Sequence, residues 1–195
     1  GKEHTVEVGD DKTEYFFIDG TFVKKSELVL TDAMDFSIEG GSYGTDYLYD
    51  SAGNVLYILN DTKLTIQNKE DVDVADTTIV TGVDCNANIV LAGVNINVSG
   101  NSGACAFKIP DNSTGTVTII LKDGTTNTLS SGHNFAGVQK NGDAGTLIIQ
   151  GENSGTGVLN ALGGQYGAGI GSSEMNNVCN ITISNGSQLF IFTLS

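Results

Sequence analysis

The sequence predicts an all-β fold, a right-handed parallel β-helix (β-solenoid) with an N-terminal capping segment, on the strength of its composition, its recurrent short apolar runs and the spacing of its turns. The 195 residues include 26 Gly but only one Pro and no Trp, with many Asn, Thr, Ser and Asp. Gly, Thr, Asn and Asp lower helix propensity, whereas Val, Ile and Thr suit the pleat of a half-buried strand. Short β-rich runs recur, each followed by a polar turn marked by Gly or Asn. The markers Asn68, Gly93, Gly124, Gly151 and Gly186 stand 25, 31, 27 and 35 residues apart. That irregular but bounded spacing suits a solenoid, in which each coil buries its inner face against its neighbours and insertions collect in loops.

Residues 1–59 read as a β-rich cap. They are more charged and more aromatic than the rest, with Tyr15, Phe16, Phe17, Phe22, Phe36, Tyr43, Tyr47, Tyr49 and Tyr57. A solenoid end exposes unpaired strand edges, so a covering segment is expected there. Within it, Asp50-Ser51-Ala52-Gly53-Asn54 reads as the turn of a hairpin between Tyr47-Leu48-Tyr49 and Val55 to Leu59. Residues 60–195 read as the coils. Their principal runs are Leu64-Thr65-Ile66, Ile89 to Ala92, Val117 to Leu121, Thr146 to Ile149 and Ile181 to Ile183. Val94 to Val98, Ala106 to Ile109 and Gly157 to Leu162 supply the other strands. The dense Gly163-Gly164 and Gly167-Ala168-Gly169-Ile170-Gly171 lacks a lysine and a following helix, so it reads as a tight corner and not as a phosphate loop. Leu189 to Leu194 is a final apolar strand that closes the helix or docks on a partner.

Nine Lys and no Arg against 23 Asp plus Glu leave a formal charge of −14. Such a chain repels polyanions, which excludes nucleic acid as a partner. No apolar run approaches the roughly 18 residues needed to cross a bilayer, so no membrane insertion is expected from this stretch. An opening Gly in place of Met suggests a trimmed chain from which a signal peptide or anchor has been removed, and further domains of a longer chain fit that reading. Cys85, Cys105 and Cys179 form neither a CxxC pair nor a dense even set. Cys85 and Cys105, about one coil apart, read as buried free thiols, with a bridge between them as the alternative.

Binding of a sugar calls for aromatic faces beside amides and carboxylates. Within the coils the candidates are His133, Asn134 and Phe135 on one loop, and Gln165 with Tyr166 in the Gly-rich corner. The competing role for Phe135 and Tyr166 is to cover a coil end and a glycine corner. The run from Glu70 to Asp76 alternates carboxylates with apolar residues. In a strand, Asp71 and Asp73 would share a face, and with Asp76 they are the candidate ligands for a hard cation such as Ca²⁺. An ordinary half-exposed strand produces the same alternation, and no other cofactor is expected. Asp71, Asp73, Asp76 and Asp84 also furnish the carboxylates for an enzyme reading, a Ca²⁺-dependent polysaccharide lyase or hydrolase. Against it stand the absence of Arg and the scatter of Lys63, Lys69, Lys108, Lys122 and Lys140. A hydrolytic triad would have to use His4 or His133, and neither sits in a convincing setting.

Several ordered segments carry a family resemblance. Gly44 to Tyr49, Leu64-Thr65-Ile66 and Asn88 to Ile96, followed by Leu121 to Leu129, Ala136 to Gln139, Gly145 to Ile149 and Gly167-Ala168-Gly169-Ile170-Gly171, resemble β-helical surface proteins of gut bacteria described as carbohydrate-binding domain-containing. The resemblance spans roughly residues 44 to 187. It implies the fold above all, an extracellular or cell-surface location, and carbohydrate binding in the broad sense, and it carries no catalytic residues. The expectation is therefore a non-enzymatic secreted or surface module that holds a polysaccharide or host surface glycan, or adheres through a face of the helix. The alternatives are the Ca²⁺-dependent enzyme and a structural spacer without ligand.

Overall fold

The computed structural model describes residues 34–178, 180–184, 186 and 188–192, and the backbone alone of 4–5, 14–18, 21–24 and 193. Cys179 and Asn185 lie outside the described residues. The described chain is all β. Strands β1 (His4–Thr5), β2 (Glu14–Ile18) and β3 (Thr21–Lys24) form a small antiparallel sheet of their own. From Val55 onward the strands stack in parallel into a β-solenoid of about 4 turns, as the sequence predicts.

Each coil visits three sheets in the same order. Sheet I contains β6 (Val55–Ile58), β8 (Thr78–Thr81), β11 (Phe107–Ile109), β14 (Val138–Lys140) and β17 (Ile170–Gly171). Sheet II contains β7 (Lys63–Asn68), β9 (Asn88–Leu91), β12 (Thr116–Leu121), β15 (Thr146–Gly151) and β18 (Ile181–Ser184). Sheet III contains β10 (Asn95–Asn97), β13 (Thr126–Ser130), β16 (Val158–Gly163) and β19 (Gln188–Thr193), and in the first coil Ala75 takes its place through a single bridge to Ile96. Two antiparallel strands complete the first coil's edge. β4 (Phe36–Glu39) pairs with β7, and β5 (Tyr47–Asp50) pairs with β6 in the hairpin read from the sequence. β6 itself pairs in parallel with β8, so the stacked coils begin at Val55.

Period-2 alternation decides which residues face inward. In sheet II, Leu64, Ile89, Ile119 and Ile149 are successive register partners and all are fully buried. Leu56, Ile79, Phe107 and Val138 form the matching column in sheet I, and Ala75, Ile96, Leu129 and Ala161 that in sheet III. These columns belong to one continuous core. One inward position carries a cation: Lys140, paired with Ile109, is 1% exposed, and its Nζ donates to the Gly142 carbonyl at 3.0 Å.

Turns between sheets II and III explain the glycine spacing. Gly93, Gly124, Gly155 and Gly186 all have φ between 66° and 89°, and each follows the last by 31 residues. Gly155 replaces the expected marker Gly151, which is the last residue of β15 and pairs with Leu121. A Cβ at Gly155 would press on the Gly186 backbone, so stacked turns exclude side chains there. Asp123 anchors this corner. Its carboxylate accepts from the Ser154 and Asn153 N–H groups at 2.8 and 3.2 Å and from the Thr156 N–H at 3.2 Å. The Ser154 N–H above all lowers its pKa from 3.8 to about 2. Nearby, buried Asn127 accepts from the Gly93 and Val94 N–H groups at 2.9 and 2.8 Å and donates to the Val158 carbonyl at 3.1 Å, tying three coils together.

Asn127→Ala removes the acceptor of two backbone N–H groups in one step. The expected loss is about 2–4 kcal/mol in urea unfolding, each orphaned donor costing on the order of 1–3. For Asp123 the folded pKa is depressed, so its stabilising effect is complete above about pH 4 and disappears as pH falls towards 2. Asp123→Asn is expected to flatten the drop of melting temperature over that interval; an unchanged acid profile would show that the anchor contributes nothing.

Candidate functional site

The corner between sheets III and I differs from the others in having unequal connections. Between Ala75 and β8 the chain crosses with Asp76 and Thr77 alone. The next three crossings run 98–106, 131–137 and 164–169. A short connection beneath a longer one leaves a recess, since strand register fixes the coils whatever the loops do. The recess is a groove of about 590 Å³. The outer face of sheet I, with Val55, Val80 and Lys108, forms part of its lining, and the 98–106 loop and the β5–β6 turn supply more.

Its polar side chains include Asn54, Asp76, Thr78, Asn97, Asn101 and Lys108, and Phe135 is the one aromatic residue of the lining, from the next coil. A hydrogen-bond network holds the rim. Tyr49 Oη donates to Asn54 Oδ1 at 2.8 Å, and Asn54 Nδ2 donates to Asp76 Oδ1 at 2.7 Å. The backbone N–H groups of Asp76 and Thr77 and the Thr77 hydroxyl all donate to Asp35 Oδ2, at 3.2, 3.2 and 2.8 Å. Asp35 precedes β4, so the antiparallel edge positions the carboxylate of the groove. Asn97 Oδ1 accepts from the Ser99 N–H at 3.1 Å, and Asn101 Oδ1 from the Gly103 N–H at 3.0 Å. Backbone donors settle which end of each amide is the oxygen, so both present their NH₂ groups as the remaining donors.

Farther along the same corner the crossings stack by backbone bonds. Gly132 N–H donates to Ala104 O at 2.9 Å, Asn134 N–H to Gln165 O at 2.8 Å, and Gly164 N–H to Phe135 O at 3.0 Å. A Cβ on Gly164 would collide with the Gly132 carbonyl, which makes the Gly-rich segment the structural corner that the sequence implies. His133 and Tyr166 meet edge to face, with centroids 5.5 Å apart and rings at 85°. Tyr166 is 63% exposed, so it does not serve as a buried cover. Beside it a second, shallower groove of about 420 Å³ is lined by Tyr166, Gly167, Ala168, Ser173, Met175 and Asn176, among others. Asn134, Tyr166 and Met175 all have left-handed φ, at 71°, 67° and 58°. For a residue with a bulky side chain this conformation costs roughly 1–2 kcal/mol.

The structure thus places six of the sequence candidates, Asp76, His133, Asn134, Phe135, Gln165 and Tyr166, on one corner. It does not bring Asp71, Asp73 and Asp76 together. The 70–76 run is a turn and bend with one bridging residue and not the strand the alternation suggests, because Asn68 Nδ2 bonds the Val72 carbonyl and Val72 N–H bonds Lys69 O, which curls the backbone. Asp71 and Asp73 lie on the corner between sheets II and III, whereas Asp84 sits between sheets I and II and accepts from Thr114 Oγ1 at 2.9 Å. Among the described residues no three His, Cys, Asp or Glu side chains are placed to share a metal ion. The sequence does not single out Asn54, Asn97, Asn101 and Lys108 as site residues; the three asparagines sit in or beside turns and Lys108 is the middle of the short β11, and only the coil register aligns them.

Comparison with known proteins identifies no relative. No family model matches the chain, and neither does any curated protein or solved structure.

Cys105 borders the main groove, 7% exposed, and Cys85 is buried at a different corner; both are free thiols. They precede β11 and β9 respectively, so the one-coil spacing in sequence does not stack them. Cys105 Sγ lies 3.2 Å from Phe107 O and 3.3 Å from Ala136 O. Burial pushes its pKa up to about 12, and that of Cys85 to about 11. Since the thiolate is the reactive form, both are expected to resist a maleimide at neutral pH until denaturant is added. Rapid labelling of Cys105 in the native protein would mean that the 98–106 loop opens.

Proposed function

We propose that the chain is a non-enzymatic carbohydrate-binding module of a secreted or surface-attached protein, and that the groove between sheets III and I holds the glycan. The observation that carries this reading is the lining itself. Asn97 and Asn101, whose amide oxygens are taken by backbone donors, line the recess together with Asp76, Lys108 and Phe135, over a stack of paired strands. Hydroxyl groups of a sugar both donate and accept, and its C–H faces pack on an aromatic ring, so such a mixed lining suits it better than an apolar or uniformly charged pocket. The net charge of −14 favours a neutral glycan over a polyanion. The likeness of the ordered sequence motifs to β-helical proteins described as carbohydrate-binding points the same way. Asp76 is the one carboxylate among the residues that line the groove, and Asp35 beside it is occupied by the Asp76 and Thr77 N–H groups and the Thr77 hydroxyl, which argues against acid and base work of the glycosidase kind.

A glycan array probed with the purified protein, in millimolar Ca²⁺ and again in chelator, tests the proposal. Binding is expected in both conditions, because Asp71, Asp73 and Asp76 do not converge. Phe135→Ala is expected to weaken it by about 5–10-fold, a loss on the order of 1–1.4 kcal/mol. Silence across the array, or binding that Phe135→Ala and Asn101→Ala leave intact, would remove the groove from consideration.

A further inference from the structure

Tyr166 occupies a backbone position at which glycine would be conformationally easier, and this chain is rich in glycine. Ten glycines adopt positive φ elsewhere in the described residues, whereas Tyr166, at φ 67°, retains a large side chain. Burial does not compensate, because the residue is 63% exposed and its ring contact is the edge of His133, itself exposed. Met175 repeats the arrangement at φ 58° and is 97% exposed. Both line the second groove, and the Glu174 N–H bonds the Asn134 carbonyl at 2.9 Å, which ties that groove to the corner. A strained backbone that holds an exposed aromatic outward, without a packing return, indicates a side chain retained for contact with something outside the chain.

The main groove lies on the corner between sheets III and I, and the second runs from that corner, at Tyr166, Gly167 and Ala168, across the short β17 to residues 172–176 of the crossing towards sheet II. The main one takes its lining from the turn at Asn54, from Asp76, from the 98–106 loop and from Phe135; the second begins at Tyr166, one coil beyond His133 and Phe135. We infer that they are successive parts of a single linear site, running parallel to the solenoid axis, for an unbranched glycan of several units. Adjacent coils are about 4.8 Å apart, close to the length of one pyranose unit in an extended chain. A polymer laid along the corner therefore meets successive crossings, at Asp76, then Asn101, then His133 and Phe135, and finally Tyr166, with Asn54, Lys108 and Met175 flanking them from the β5–β6 turn, β11 and the 172–176 segment. This inference rests on the carbohydrate reading of the main groove and adds to it a polymeric ligand and a terminal aromatic platform.

The test is a length series, by calorimetry, of linear oligosaccharides of glucose, N-acetylglucosamine, mannose and xylose from one to six units, with wild type, Phe135→Ala and Tyr166→Gly. Affinity for the bound sugar type is expected to rise with length beyond three units. Tyr166→Gly should cancel most of that rise, about 5–10-fold for the longest member, while leaving the shortest bound member unaffected. The same variant should melt no lower than wild type, since glycine relieves the left-handed strain, so weaker binding cannot be ascribed to unfolding. Affinity that is flat with length, or a rise that Tyr166→Gly leaves intact, would overturn the linear site while Phe135→Ala still reports on the main groove. Absence of binding by every oligosaccharide would overturn both readings.

Discussion

Strand register between coils is the constraint on which the rest of the molecule depends. No coil can bury its own inner face. Leu64 is covered by Ile89, Ile89 by Ile119, and Ile119 by Ile149, so the core exists only if every coil presents an apolar residue at the same angular position. A one-residue slip would turn each of these side chains to the outside and bring Thr65, Thr118 or Ile148 inward. Fixed angular positions also explain the corners. Gly93, Gly124, Gly155 and Gly186 recur at 31 residues because stacked turns must repeat the same left-handed bend, and at Gly155 the stacking also leaves no room for a side chain. Side-chain ladders reinforce the pitch. Asn127 and Asp123 each bond the backbone of a neighbouring coil, which is where Asn and Asp serve better than an apolar residue.

The same register shows why some of this was legible in the sequence and some was not. Alternating runs such as Val117 to Leu121 announce a strand and its buried face with no further information, and the hairpin at Tyr47–Asp50 and Val55–Ile58 announces itself by its turn residues. Where a strand shrinks to two or three residues, alternation carries too little signal. β14, Val138-Gln139-Lys140, has all three residues buried and sends a lysine inward, an assignment that only its pairing with Phe107, Lys108 and Ile109 reveals. The Glu70 to Asp76 run shows the converse failure. Its pattern is that of a strand, yet side-chain and turn hydrogen bonds from Asn68 and Val72 bend the backbone, and its carboxylates do not gather into a group that could hold a metal ion. Gly151 reads as a turn marker in the sequence because a glycine at a strand end looks the same there as one at a corner. The aromatic candidates were legible because exposed loops with Phe, His and Tyr are rare in this chain. Their amide and lysine neighbours were not, since those residue types line every corner.

Lys140 illustrates how far the stack tolerates a residue that contradicts its pattern. In the inner column Thr81, Ile109 and Lys140 succeed one another, and a buried ammonium is costly unless hydrogen bonds replace its water. Gly142 O supplies one such bond, from the turn that immediately follows β14. The chain can accommodate this only beside a corner, where backbone carbonyls are free of the strand ladders; in the middle of a strand all of them are committed to the neighbouring coils.

Corner chemistry also accounts for where the candidate site lies. The outer faces of the sheets repeat from coil to coil and are nearly flat, because the pitch is common to all strands. Connections are under no such obligation. Between sheets III and I their length changes from the two residues Asp76 and Thr77 to the loops 98–106, 131–137 and 164–169, and the mismatch opens a recess without disturbing a single register pair. A recess formed in this way inherits its rigidity from the strands below it and its variety of side chains from the loops above it. That combination is what a recognition surface requires, since ordering a mobile loop on binding would consume much of the contact energy. The antiparallel edge contributes directly: Asp35 and Tyr49, from segments that close the first coil, fix Asp76 and Asn54 at the groove's rim. Closing the solenoid and shaping its recess are therefore the same structural act at this end of the molecule.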